Sequence, residues 1–340
     1  MLTYAIWNNK GGTGKSSLTF QVVGRFAERN PKKRILVIDM CPQANLSEIF
    51  LGGQQNNGSS NLLSVQNQSP RCSIGGYFDK RLPSPFVQYA AFNADDFIIT
   101  PHTKNTKAPA NIDLICGDPL LELQAIAMNT LANANLPGVN AWLSVIDWLK
   151  DFLDTINDKY DFVFIDTNPS FSMYTQIALA ASDRVLLPVM ADDSSRRAIQ
   201  NAFSLIYGLR LPSSVYAQYT FATKMNQSGR SLPQIHCVIK NRLTQYMGAA
   251  SAYAAVLIGI DNDLRALIQN HPQHFTFQNV QNGVVNVRDF QTSGVVAFAT
   301  GSLFSNMRIG KQAIGGRKVQ VKDTYRLNSL SAIDSVVNIL

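Results

Sequence analysis

Ten consecutive residues, Lys10-Gly-Gly-Thr-Gly-Lys-Ser-Ser-Leu-Thr19, bring together three glycines, two lysines and a serine pair. Those types at that spacing suit a phosphate chain. Gly11, Gly12 and Gly14 let the backbone turn tightly, so that the amide N–H groups of the loop, Thr13 included, point at one anion. Lys15 is placed to reach β- and γ-phosphates, and the Ser16 hydroxyl to ligate Mg²⁺, with Ser17 beside it in the same turn. The general phosphate-loop pattern asks for glycine at position 9, where this chain has Asn9. What it adds is Lys10, a second lysine at the head of the loop.

A loop of this kind needs a strand before it and a helix after it. The apolar run Leu2–Trp7 precedes it, and an amphipathic stretch ending near Arg29 follows, adding the positive end of a helix to the same spot. Arg34–Asp39, Asn111–Cys116, Asp161–Asp166, Arg184–Val189 and Ile235–Lys240 are β-branched, apolar runs that read as buried parallel strands. Between them lie helical patterns at Trp142–Ile156 and Ser194–Leu209. In the first, Trp142, Val145, Ile146, Leu149, Phe152 and Ile156 recur on the helix period. Alternating strands and helices predict an α/β fold: a doubly wound, mostly parallel sheet with helices on both faces and its ligand beyond the strands' carboxyl ends. Asp39 and Asp166 each close a strand there, where acids can hold Mg²⁺ through water.

The whole chain, 1–340, reads as a single domain with an insertion at about 52–107. Gly52–Lys107 is rich in Asn, Gln, Ser, Gly and Pro and reads as a long surface excursion carrying a little local structure. Gln273–Phe298 alternates polar and apolar residues and predicts a hairpin around Asn282-Gly283. A net charge of +7 on a chain only 16% charged favours a polyanionic partner. Cys41, Cys72, Cys116 and Cys237 are widely spaced without a CxxC pair, so they read as reduced thiols and argue against an iron–sulfur reductase. No apolar run, Ala249–Ile260 included, approaches the roughly 20 residues of a membrane span, and the N-terminus enters a strand without a signal peptide. The expectation is a cytoplasmic protein.

Lys10–Ser16, with Asp39-Met-Cys-Pro-Gln-Ala-Asn45 and Asp166-Thr-Asn-Pro-Ser170, resembles the ParA branch of the deviant Walker-type P-loop ATPases, which partition plasmids and chromosomes. The resemblance is strong over 1–50 and 140–210 and weaker around 235–310. It implies ATP and Mg²⁺ as cofactors and an ATP-sandwich homodimer in which Lys10 crosses to the partner's nucleotide. It implies that Ser16, Asp39 and Asp166 serve the metal, Asp166 as the Walker-B acid. It places Asn241, in Lys240-Asn241-Arg242, near adenine. It gives Lys10, Lys15, Asp39 and position 41 catalytic roles. Position 41 is the departure: the family usually has aspartate there to position the attacking water, and this chain has Cys41. A thiol with pKa about 8.5 is a poor acceptor. Either hydrolysis is very slow, or another group, Asp192 or Asp193, orients the water.

In the family, dimers hold non-specific duplex DNA through basic residues. Here Arg308, Lys311, Arg317, Lys318, Lys322 and Arg326 cluster within 307–326 against Asp323, enough to neutralise several phosphates. Arg196 and Arg197 could serve the same face or the dimer contact. Nine residues before Lys10 leave no room for a helix-turn-helix, so operator reading falls to a separate ParB-like adaptor. The alternative is a MinD-like switch acting on a protein or membrane partner. Ser329–Leu340 lacks the basic amphipathic character a bilayer surface requires, so no membrane partner is expected.

Overall fold

β-branched runs covered on both faces form a parallel sheet, and six do so here, with a seventh strand at one edge. The computed structural model describes residues 1–88, 92–190, 192–243 and 250–340, with side chains except at 193–195 and 250–253. Its strands are β1 (Leu2–Ile6), β2 (Ile35–Met40), β3 (Ile112–Ile115), β4 (Phe162–Thr167), β5 (Arg184–Met190), β6 (Gln234–Leu243) and β7 (Val284–Arg288). They lie in the order β3-β2-β4-β1-β5-β6-β7, every pair parallel. β1 sits centrally, and the chain leaves it for β2 on one side and later β5 on the other. That reversal opens a crevice beyond the carboxyl end of β1.

Two apolar layers cover the sheet, and the strand period of two decides which residue joins which. Leu36, Ile38 and Met40 of β2 enter one layer, while Ile35 and Val37 enter the other with Leu18, Phe20 and Val22 of the helix Lys15–Arg29. By the same alternation, Asp39 after Val37, and Asp166 after Phe164, fall on the face beneath that helix.

Three expectations change. Gly52–Lys107 carries local structure as expected, in helices Gly58–Gln66 and Ile74–Arg81, but it is not a surface excursion. Ile74, Tyr77 and Phe78 are wholly buried, and Tyr77 packs edge-on against Phe97 and Phe152. Its polar start, 54–57, is a continuous exposed run, and that is what composition reports. Asn282-Gly283 makes no hairpin. Asn279 Oδ1 accepts the Asn282 amide at 3.0 Å, giving a short helical turn, Val280–Gly283, that feeds β7 in parallel beside β6. Gly283 is required there because a Cβ would lie 2.2 Å from the Phe277 ring. The helix expected at Trp142–Ile156 is two, Ala141–Ile146 and Trp148–Thr155, with Asp147 between them paired to Arg230. The break turns Trp148 fully into the core, where its indole donates to Pro85 O at 3.0 Å.

The basic segment forms an antiparallel pair, β8 (Gly310–Ile314) and β9 (Arg317–Val321), before the helix Asp323–Val337. That last helix packs on Lys15–Arg29 through Ile333, Val336 and Val337, with Asp334 bound to Arg25 at 2.7 Å. Ala249, which heads the longest apolar run, lies outside the described residues; no described helix is long and apolar enough to cross a membrane. If Ile74–Arg81 is part of the core, Phe78→Ala should cost about 3–5 kcal/mol, seen as a lowered denaturant midpoint. A loss below about 1 kcal/mol would return the segment to the surface.

Candidate nucleotide-binding site

The loop after β1 fills the crevice. Gly12 and Gly14 take left-handed φ values of 72° and 77°, which L side chains resist, so the glycines of the motif are needed for its shape. Gly14 caps the helix Lys15–Arg29, whose first amides therefore open onto the cleft. Asn8, fully buried, anchors the loop's base: its Nδ2 donates to Pro188 O at 2.5 Å, and its Oδ1 accepts the Lys10 amide at 2.9 Å. From β6, Asn241 Nδ2 donates to Thr13 O at 2.7 Å, and Arg242 lies against Gly14.

Beneath the loop, Asp39 and Asp166 stand in register on adjacent strands β2 and β4. Ser16 Oγ donates to Asp166 Oδ2 at 2.7 Å, and Thr19 Oγ1 to Asp166 Oδ1 at 2.9 Å. Ser16 and Thr19 are three apart and so share one helix face. Asp39 accepts the Ser47 amide at 2.9 Å, the Ser47 hydroxyl at 2.7 Å and the Cys41 amide at 3.1 Å. Both acids are fully buried, and burial pushes both above the usual carboxylate range. For Asp39, burial and then the Asp166 charge raise the carboxyl to about 7. Lys15 is shifted the other way: burial lowers it against the pull of Asp166, and among the described residues its Nζ makes long contacts, 3.5 Å to Asn8 O and 3.4 Å to Lys10 O. An anion in the loop and a cation by the acids would relieve both strains.

The cleft over the loop measures about 390 Å³ and is lined by Gly11–Ser17 together with Cys41, Gln43, Glu122 and Arg242 among others. A second, about 500 Å³, adjoins it through Gly14, Ser17 and Arg242 and includes Asn241 and Phe290. Thus the loop, Cys41 and the acid pair are brought together, with Asn241 beside them. Lys10 is also at the loop, but its Nζ pairs with Asp192 of the same chain at 2.5 Å. Asp192, expected as a possible water-orienting group, is thereby engaged with Lys10; the side chain of Asp193 lies outside the described residues. Burial, then Asp39 and Asp166, raise the Cys41 thiol to about 12, so it stays protonated.

Of the basic cluster, Arg308, Lys311, Arg317, Lys318 and Lys322 are exposed on or beside the β8–β9 pair. Arg326 is half-buried, bound to Asp323 at 2.7 Å and donating to Phe304 O at 3.0 Å, which makes it a structural cation. Arg196 is likewise bound to Asp263, while Arg197 is exposed. The pair touches the site: Ile314 lines the second cleft, and Gln55 Nε2 donates to Ala313 O at 2.7 Å.

A protein-family model described as an AAA domain matches residues 1–211, which hold the loop and both acids. The chain belongs to that family. Within it the chain is of the ParA/MinD type. An uncharacterized protein of Mycobacterium tuberculosis is 29% identical over 196 residues, 57% of this chain and 48% of its own. A ParA family protein of Chlamydia pneumoniae is 28% identical over 209 residues, 62% of this chain and 66% of its own. This AAA-domain chain spans about half the length of the first curated relatives it matches. Among solved structures, the ATP complex of a Cyanothece McdA variant superposes with a TM-score of 0.61 at 15% identity, covering 100% of this chain and 96% of that one. A pNOB8 ParA bound to nonspecific DNA gives 0.51 at 19% identity, covering 84% and 85%. These likenesses show the shared P-loop fold.

Sequence reasoning missed Thr19, Ser47 and Glu122 in this ParA-type site. Thr19 carried a signal, its helical spacing from Ser16; Ser47 and Glu122 carried none, since only the strand order brings them in. The raised carboxyl of Asp39 has a stability consequence. An unfolded aspartate loses its proton near pH ~4, whereas the folded one holds it to about 7, so its contribution is full below ~4 and lost as pH rises through 7. Without Mg²⁺, melting temperature should fall across that window, and Asp39→Asn should flatten the fall; parallel profiles would contradict the assignment.

Proposed function

We propose that this ParA-type chain binds Mg²⁺–ATP, pairs with a second copy when ATP is bound, and then holds duplex DNA without reading its sequence. The observation that carries the reading is the Ser16–Asp166–Thr19 cluster beside Asp39, directly under a glycine loop. Ser16 Oγ and Asp166, with Asp39 behind them, would hold Mg²⁺, which would supply positive charge to offset the phosphates and two carboxylates whose ionisation burial opposes. The loop amides and Lys15 would take the phosphates, and the second cleft, with Asn241 and Phe290, the base. The family model and the ATP-bound fold relative support the nucleotide; the DNA-bound pNOB8 ParA supports the DNA.

Arg317, Lys318, Lys311, Lys322 and Arg308 are the DNA contacts, at a hairpin whose Ile314 borders the nucleotide clefts. That border gives nucleotide occupancy a direct route to the basic face. Lys10 leaves Asp192 to reach the partner's phosphates in the dimer, acting as a cation delivered by assembly. Turnover is weak, because a protonated thiol at 41 accepts no hydrogen bond of carboxylate strength from water. The reading makes the chain a long-lived, ATP-set switch that partitions a genetic element or cargo with a ParB-like adaptor. The MinD-like alternative is disfavoured by the helix Asp323–Val337, whose Ile333, Val336 and Val337 are committed to the core.

Two measurements test this. Binding to random duplex DNA should require ATP and weaken steeply with salt. Arg317→Ala with Lys318→Ala should reduce the log–log salt slope by about 2. Binding that ignores nucleotide, or an unchanged slope, would refute the assignment. Separately, Cys41→Asp should raise ATP turnover by about tenfold or more, and an unchanged rate would clear the thiol of blame.

A further inference from the structure

We propose that Glu122 is the carboxylate that receives the attacking water in this site, in place of the acid that Cys41 cannot supply. The inference rests on the reading above that the loop binds ATP. Among the described residues lining the cleft over the loop, Glu122 is the one carboxylate, and it shares that cleft with Lys15, Ser16 and Cys41. The other acids nearby, among the described residues, are held beneath the loop or lie outside that cleft. Asp39 and Asp166 lie fully buried under hydrogen bonds from Ser47, Cys41, Ser16 and Thr19. Asp192, the Lys10 partner in this conformation, and Asp289, which accepts the Gln291 amide at 2.7 Å, do not line that cleft. Glu122 by contrast is exposed, and its carboxylate has no hydrogen-bond or ionic partner among the described residues.

Its backbone is nonetheless fixed. Glu122 lies in the first turn of the helix Leu120–Ala132, and the buried Asp118 holds that turn. Asp118 Oδ1 accepts the Leu120 amide at 3.0 Å, while Arg71 and Ser73 bind the same carboxylate. One turn on, Gln124 Nε2 ties the helix to Gly75 O at 2.8 Å. A long, free acid on an anchored turn can swing over the cleft without disturbing the fold. In the step assigned to it, the water oxygen bonds to the γ-phosphorus. The bond between that phosphorus and the β–γ bridging oxygen breaks, and its electron pair leaves on ADP. One water proton passes to Glu122 and from there to the released phosphate.

The test compares steady-state ATP turnover and equilibrium Mg²⁺–ATP affinity in wild type, Glu122→Gln and the double variant Glu122→Gln with Cys41→Asp. Glu122→Gln should lose at least about tenfold in turnover while its ATP dissociation constant stays within about twofold. Adding Cys41→Asp should restore turnover, because a carboxylate then reaches the water from the other wall. Unchanged turnover in Glu122→Gln overturns the proposal, as does a wild type that binds ATP without any turnover above background. A loss of turnover matched by an equal loss of affinity also overturns it, assigning Glu122 to binding alone. Failure of the wild type to bind Mg²⁺–ATP at all would instead sink the nucleotide-site reading beneath it.

Discussion

Two carboxylates side by side in the interior dominate the energetics of this molecule. Asp39 and Asp166 are register partners on β2 and β4 and fully buried. Ionising both there is unfavourable on two counts, lost hydration and mutual repulsion. The fold offsets part of that cost with donors: two hydroxyls on Asp166, and a hydroxyl with two amides on Asp39. What donors leave unbalanced, a divalent cation can balance, and such a ligand stabilises the folded state by as much as it favours it over the unfolded chain.

The surrounding architecture follows from placing that pair. β1 must be central for its loop to reach the crevice, β2 and β4 must be neighbours for the acids to meet, and the strand period must put both beneath the helix Lys15–Arg29. The helix then supplies Ser16 and Thr19 one turn apart. The loop Cys41–Ala44 and the helix Asn45–Phe50 return Ser47 to Asp39, and Ser47 Oγ also accepts the Gly117 amide at 2.9 Å, joining the end of β3 to the same cluster. Gln66, from the crossover between β2 and β3, donates to Gly117 O at 2.8 Å. The segment 52–107 is therefore mechanically linked to the acid pair, one strand away.

Strands were legible in the sequence because they are buried on both faces, which leaves uninterrupted β-branched runs; β1 to β6 fall where those runs do. The glycine loop and both acids were legible for the same reason, each standing at the end of such a run. β7 was not, because Asn282-Gly283 is a strong local turn signal and the deciding contact, Phe277 against Gly283, is tertiary. Ile74–Arg81 was hidden by the polar stretch before it, although Tyr77 and Phe78 belong to the core. The partners Ser47, Asp192 and Glu122 depend on which strands lie side by side, and no window of sequence carries that. Lys10 was placed correctly at the loop, but its pairing with Asp192 could be seen only once β5 was known to flank β1.

The most direct test of the account is the dependence of ATP affinity on Mg²⁺. Titration of the wild type with ATP in excess Mg²⁺ and again with the metal chelated, alongside Asp166→Asn, isolates what the acid pair contributes. If the pair exists to share a cation with the phosphates, Mg²⁺ should tighten ATP binding to the wild type, and Asp166→Asn should lose most of that increment. Equal affinity with and without Mg²⁺, or a full increment retained in Asp166→Asn, would contradict it.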